Sequence, residues 1–263
     1  MKKNLWIAVV LALVLMLGAC SHAAQPAAGS EAAETAETEA PAETAAPTET
    51  PAAESAMPEE EVVKLYEQKL MEIRDYIRQG DTPEEIPEGY TGIREMMIYE
   101  EPEVLLDQIG YLMKDLSGDG QLELLIGTPV EVSEDTVSNI FALYTVKDGA
   151  VQLVTEGWAR SAWFLLQDGT FYNTGSNGAA YAVFGDYTIS ADGSTLEPKD
   201  FYFTYEKTAG NFDDIGVYHN TTGVYDKAQA ELMDITPDEL WEISADYQDT
   251  AQVIGLMSLS TLP

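Results

Sequence analysis

Gly110-Tyr-Leu-Met-Lys-Asp-Leu-Ser-Gly-Asp-Gly-Gln-Leu-Glu-Leu-Leu-Ile-Gly127 is the stretch from which the rest of the chain can be read. Two apolar runs, residues 111–113 and 122–126, flank a polar turn that ends in Asp119-Gly120. Asp-Gly between β-favouring runs predicts a hairpin, because glycine takes positive φ without steric penalty. The turn also sets oxygen donors at alternate positions: Asp115, Ser117, Asp119, the Gln121 carbonyl and Glu123. Ca2+ is a hard cation that takes about six to eight oxygens, and a tight loop of this kind can supply about five. The expectation is a metal-stiffened loop, with a bare Asp-Gly hairpin as the alternative. No reaction follows from either.

Working outward, the same hairpin signal recurs. Residues 139–147 and 151–156 are joined by Asp148-Gly149, and residues 162–167 and 170–174 by Asp168-Gly169. Residues 179–190 run to a turn at Ala191-Asp192-Gly193, and residues 200–206 are rich in Phe and Tyr. Strands separated by Asp-Gly turns predict an antiparallel meander. Residues 211–226 read as irregular, and residues 81–99, with Pro83 and Pro87, as a loop leading to a short apolar patch at 96–99.

Helices are expected at the two ends of the domain. Val62, Tyr66, Leu70, Ile73 and Ile77 make one apolar stripe over residues 59–79, opened by three glutamates and closed by Gly80. Residues 102–108 predict one or two helical turns with Pro102 near the first position. Thr236-Pro237-Asp238-Glu239 is a capping-box start, followed by Leu240, Ile243 and Tyr247 on one face. Residues 253–262 are apolar enough to dock back as a strand or tail. The fold class expected is α+β: one curved antiparallel meander sheet with helices at both ends packed on it.

Ahead of this domain, residues 1–19 carry Lys2 and Lys3, then an apolar core too short to span a bilayer, which needs about 20 apolar residues. Residues 20–58 are almost all Ala, Glu, Thr, Pro and Ser, with no Lys, Arg or aromatic residue. Such a segment buries too little apolar area to offset ordering, so a disordered tether is expected. It would reach roughly 35 Å as a coil and about 120 Å if fully extended. One domain over residues 59–263 remains.

The chain has 46 acidic and 13 basic residues, a net charge of −33. Phosphate contacts need basic patches, so no nucleic-acid partner is expected. Cationic ligands or Ca2+ would be drawn in, and the charge serves equally as a solubility device. Catalytic motifs are missing. There is no Gly-x-Ser-x-Gly, Gly175-Ser176-Asn177-Gly178 reads as a hairpin turn, and His219 is the domain's one histidine. With Cys20 the sole cysteine, neither a thiol nor a zinc set is available to the domain. Trp158, Trp163, Tyr172, Tyr181, Tyr187, Tyr202 and Tyr205 fall on or near expected strands, as core or as a surface row for sugar rings or a peptide. Arg160 would pair with an anionic ligand group or with a carboxylate across the sheet.

Two resemblances add to this. Leu17-Gly18-Ala19-Cys20 after a charged start and apolar core resembles the lipobox of bacterial lipoproteins. The resemblance implies cleavage before Cys20, a diacylglyceryl thioether on its sulfur, an acyl group such as palmitate on the new amino terminus, and anchoring in the lipid bilayer outside the cytoplasm. Asp115-x-Ser117-x-Asp119-Gly120-x-x-Glu123 resembles the calcium loops of FG-GAP-type propeller blades, with Ser117 and Glu123 replacing two of that motif's aspartates. An EF-hand is ruled out, since its twelfth position would be Ile126. Residues 90–206 as a whole are similar to uncharacterised surface lipoproteins of gut-type Gram-positive bacteria, a group that implies no activity. Two readings follow: a non-enzymatic, Ca2+-stabilised binding or scaffolding module for an envelope glycan or protein, or a carboxylate-dependent hydrolase of envelope glycans.

Overall fold

The computed structural model describes residues 57–80, 85–132, 135–178 and 181–263. The signal segment, Cys20 and the tether as far as residue 56 lie outside the described residues. Among the described residues no helix is long and apolar enough to cross a membrane.

Helix α1, Glu59–Gln79, buries Val62, Tyr66, Leu70, Ile73 and Ile77 along the stripe its spacing requires. It stops at Gly80, whose φ of 65° supplies the left-handed C-cap. Its apolar face meets one side of strands β1 (Gly110–Lys114), β2 (Glu123–Val132), β3 (Asp135–Lys147) and β4 (Ala150–Glu156), with Leu124, Ile126, Phe141 and Tyr144 in the shared core. The loop expected over 81–99 contains instead a short helix α2, Thr91–Met96, which buries Ile93 while Ile98 and Tyr99 stay exposed. Gly92 permits it to dock, because a Cβ there would stand 2.5 Å from the Gly157 carbonyl oxygen. Helix α3, Pro102–Gln108, follows with Pro102 at its start and Leu105 and Leu106 buried.

The remaining strands are β5 (Ser161–Leu165), β6 (Phe171–Ser176), β7 (Ala182–Ile189), β8 (Leu196–Glu206), β9 (Ile215–Asn220), β10 (Glu231–Leu232) and β11 (Met257–Ser258). All pairings among them are antiparallel, in the order β10-β9-β8-β7-β6-β5-β3-β2-β1-β11, with β4 also on β3. β3 is long enough to hold β4 along residues 142–147 and β5 at Asn139 and Ile140. Gly157 makes that changeover possible, since a Cβ there would lie 2.2 Å from the Ile140 carbonyl oxygen.

Strand β9 corrects the expectation of irregular structure after residue 211. Asp213 and Asp214 belong to the turn before it, and Gly216, Val217 and Tyr218 are buried within it. Helix α4, Pro237–Gln248, begins with the expected capping box, Thr236 accepting from the Glu239 amide and Glu239 accepting from the Thr236 amide. Leu240 is buried on the far half of the sheet against Phe164, Tyr172, Phe184 and Val217. The tail returns as β11 on β1.

A second cluster, Leu125, Ile140, Leu143, Trp163, Leu165, Phe171 and Ile189, lies on the sheet face away from α1. It joins strands that are far apart in the sheet order. β2 and β7 are four places apart, about 19 Å in a flat sheet, yet the β7–β8 turn touches β2 at Glu123. The sheet therefore curls.

Candidate functional site

The loop between β1 and β2 is built from side chain to backbone hydrogen bonds. Gly118 and Gly120 donate their amides to the two carboxylate oxygens of Asp115, at 2.6 and 3.0 Å. Gln121 donates its amide to Asp119 Oδ1 at 2.7 Å, and Asp119 donates its own to Ser117 Oγ at 3.4 Å. Gly118 and Gly120 have φ of 82° and 91°, which a side chain would make costly. The loop is tied down from two sides. Gln121 Nε2 donates to the Val146 carbonyl at 2.7 Å, and Tyr66 of α1 donates to the Leu122 carbonyl at 2.7 Å.

Glu123 differs from the other expected ligands. It is the first residue of β2 and is wholly buried. Its Oε2 accepts from the amides of Leu116 and Ser117 at 2.6 and 3.3 Å, so the carboxylate sits beneath the loop. Among the described residues its Oε1 has no hydrogen-bond partner, and neither does the buried Thr145 Oγ1 nearby. Burial pushes the Glu123 carboxyl above its usual range, and the two accepted amides hold it back only in part.

The donor set, carboxylate, hydroxyl and carbonyl oxygen, suits a hard cation. The arrangement is nonetheless one in which Asp115 and Asp119 serve the loop's own amides. Among the described residues no three His, Cys, Asp or Glu side chains converge as a metal-binding group.

Other expected positions fall as follows. Trp163 and Tyr172 are buried, while Tyr181, Tyr187, Tyr202 and Tyr205 are half-buried. Among the described residues Arg160 meets no carboxylate; it donates through Nε to Ser176 Oγ at 3.2 Å. His219 on β9 meets Asp200 on β8 at 2.9 Å and packs on the Tyr202 ring, with centroids 4.7 Å apart.

A cleft that the sequence did not suggest lies between the C-terminal end of α4 and the sheet, with Asp168, Asp186 and Asp246 in its walls. Asp186 and Asp246 are 60 positions apart, so no local spacing joins them. The nearest signal is Pro198-Lys199-Asp200. β7 pairs Asp186 with Asp200 and Tyr187 with Pro198, leaving Lys199 as a bulge residue without a partner on β7. Lys199 Nζ reaches Asp186 Oδ2 at 2.8 Å. No protein-family model, no curated protein and no solved structure matches the chain.

Proposed function

We propose that the chain is an extracytoplasmic lipoprotein, anchored in the cell membrane through a lipid on Cys20, whose folded part is a binding or scaffolding module stabilised by Ca2+. In this reading the chain belongs with the surface lipoproteins that residues 90–206 resemble, and its curved sheet with helices at both ends is held off the bilayer by the tether. Its partner is an envelope glycan or protein, and the net charge of −33 argues against nucleic acid. Asp115, Ser117, Asp119, the Gln121 carbonyl and Glu123 would hold the metal. Bound there, Ca2+ would supply charge neutralisation and a rigid β1–β2 tip rather than catalysis. The observation that carries the reading is Glu123: a wholly buried carboxylate beneath a loop of oxygen donors, its Oε2 accepting from the Leu116 and Ser117 amides of that loop.

The test is a thermal melt of the mature chain carrying Cys20→Ser, which removes the lipid, in EDTA and in millimolar Ca2+. Ca2+ at ten times Kd adds about 1.4 kcal/mol, a rise of roughly 3–6 °C for a domain of this size. The rise should vanish in Asp115→Ala and Asp119→Ala. Identical melts with and without Ca2+ would reduce the loop to a turn.

A second reading, the carboxylate-dependent hydrolase of envelope glycans, would draw on the carboxylates in the walls of the α4 cleft. Turnover of peptidoglycan or polysaccharide that is lost in Asp186→Asn would establish it, and no turnover across a broad panel would retire it.

A further inference from the structure

Ten large apolar side chains stand exposed among the described residues, and four of them, Ile86, Ile98, Tyr99 and Val104, come from residues 86–104. Single exposed apolar residues are ordinary, but several together mark a surface that another molecule covers. Ile98 and Tyr99, 64% and 58% exposed, line a groove of about 300 Å3 that the α2–α3 turn makes against the C-terminal end of α1. Ile77 of α1 and Leu105 of α3, both fully buried, lie beneath it, so the groove is backed by the core. The turn is fixed by its own backbone. The amides of Tyr99 and Glu100 both donate to the Met96 carbonyl, at 3.0 and 3.1 Å, which holds the apolar pair outward.

The charge around the groove has one sign. Residues 95–107 carry Glu95, Glu100, Glu101, Glu103 and Asp107, and no Lys or Arg. Glu95 is engaged by the Ala159 amide at 2.7 Å. Among the described residues no cation pairs with Glu100, Glu101, Glu103 or Asp107. Glu100 and Glu101 line the groove itself, whereas Arg78, near the end of α1, does not. Uncovered apolar surface and uncompensated negative charge therefore meet at one place.

That combination separates the possible occupants. A second copy of the chain would set these carboxylates against themselves across a two-fold axis, and like charges oppose that pairing. Residues 21–56 hold no Lys, Arg or large apolar side chain and bring further glutamates, so the chain's own N-terminal segment is a poor match. Anionic surfaces meet the same repulsion. Sugar rings stack on flat aromatic faces, while Ile77, Ile98 and Leu105 are aliphatic. The groove is built from helices and a turn, so it offers no strand edge to an extended peptide; a helix laid along it is the mode that remains.

We propose that the groove beside Ile98 and Tyr99 is the docking site for a protein partner that presents a basic amphipathic helix. Its apolar side chains cover Ile98 and Tyr99, and its lysines or arginines meet Glu100, Glu101 and Glu103. This docking site rests on the reading of the chain as a binding module and names the class of its partner. It is independent of Ca2+ at the Asp115 loop, and its test is run in EDTA, so its failure leaves the outcome of the Ca2+ melts untouched.

The experiment is fluorescence anisotropy of a labelled amphipathic helical peptide of leucine and lysine, titrated with the lipid-free mature chain. Two control peptides are run beside it: the same peptide with every lysine changed to glutamate, and oligolysine of equal charge. Expected is saturable binding of the leucine–lysine peptide, with each control weaker by about tenfold or more, since one lacks the charge and the other the apolar face. Ile98→Ser and Tyr99→Ser change exposed side chains outside the core, so both variants keep the fold, and each should weaken binding by about tenfold. Glu100→Gln/Glu101→Gln should weaken it too, whereas Trp241→Ser, an exposed apolar position on α4, should leave it unchanged. Peptide binding undiminished in Ile98→Ser and Tyr99→Ser, or oligolysine bound equally well, would overturn the proposal. Sedimentation that shows a dimer dissolved by Tyr99→Ser would overturn it in favour of a second copy. Phosphatidylcholine vesicles that capture the parent but not Tyr99→Ser would overturn it in favour of a lipid surface.

Discussion

Gly193, in the turn between β7 and β8, lies directly against the carboxylate of Glu123 at the start of β2: a Cβ at Gly193 would stand 2.3 Å from Glu123 Oε1 and 3.3 Å from Thr145 Oγ1. The contact closes the curl of the sheet at the point where the β1–β2 loop ends and β2 begins. The turn arrives there as a rigid unit. Asp192 accepts from the Ser190 and Ser194 hydroxyls, both at 2.7 Å, and from Lys147 at 3.0 Å. The Ser194 hydroxyl foremost, then that of Ser190 and the Lys147 ammonium, hold the Asp192 carboxyl far below its usual range.

Gly193→Ala should therefore cost more than its backbone alone explains. Gly193 and Gly169 have φ of 66° and 88°, so alanine at either pays a left-handed penalty of about 1–2 kcal/mol. Nothing lies within 4 Å of a Cβ at Gly169, whereas Gly193→Ala also drives a methyl group into Glu123. Urea melts should show Gly193→Ala less stable than Gly169→Ala by about 1–3 kcal/mol. Equal losses would mean that the β7–β8 turn does not bear on β2.

Glu123 sets a pH dependence of its own. Its folded pKa is raised from 4.5 by burial, so the folded chain holds this proton more tightly than the unfolded one. That contribution to stability is fully present below about pH 4.5 and is lost as pH rises through the raised value. Glu123→Gln keeps an oxygen for the Leu116 and Ser117 amides and cannot ionise. In EDTA, the stability of the parent minus that of Glu123→Gln should fall as pH rises above about 4.5. Denaturant melts at several pH values measure it, and a difference that stays flat with pH would contradict the burial argument. With Ca2+ present, Glu123→Gln should lose most of the thermal shift expected of the parent.

How much of this was legible in the sequence depends on how local each cause is. The α1 stripe and Gly80, the Asp-Gly turns and the Thr236 capping box each fit within one or two turns of chain, and each appears where its residues stand. Helix α2 and strand β9 were hidden by their flanks. Pro87-Glu-Gly89 suggested only loop before Thr91, and Asp213-Asp214 masked the short run of residues 215–220. The burial of Glu123 was not legible, because spacing alone cannot tell a loop position from the first buried residue of a strand. The cleft was not legible at all. Its carboxylates come from a hairpin turn, a strand and a helix, and only the pairing of β7 with β8 and the docking of α4 bring them together.

Helix α4 forms one wall of that cleft, and its first turn depends on the reciprocal bonds of Thr236 and Glu239. Thr236→Ala should cost about 1 kcal/mol, a fall of roughly 2–4 °C. Thr236→Ser should restore most of it. A melt that separates neither variant from the parent would mean that the α4 start frays without effect on the fold.

The docking of α4 on the sheet turns on Tyr172 and Ser244, whose hydroxyls lie 2.6 Å apart with both residues buried. Tyr172 also stacks on Tyr247, so hydroxyl and ring fasten the same helix one turn apart. Removing one hydroxyl takes from the other its 2.6 Å partner; Ser244 Oγ then keeps the longer bond from Gln248 Nε2 at 3.5 Å, beside Phe164, Phe184 and Leu240. Ser244→Ala and Tyr172→Phe should each cost about 1–3 kcal/mol. Removing both hydroxyls takes away donor and acceptor together, so Tyr172→Phe/Ser244→Ala should cost less than the sum of the single changes by about 1 kcal/mol or more. Equilibrium urea unfolding of the four proteins measures the coupling directly. Additive losses would mean that the two hydroxyls act through separate partners, and α4 would then be held by its rings and Leu240 alone.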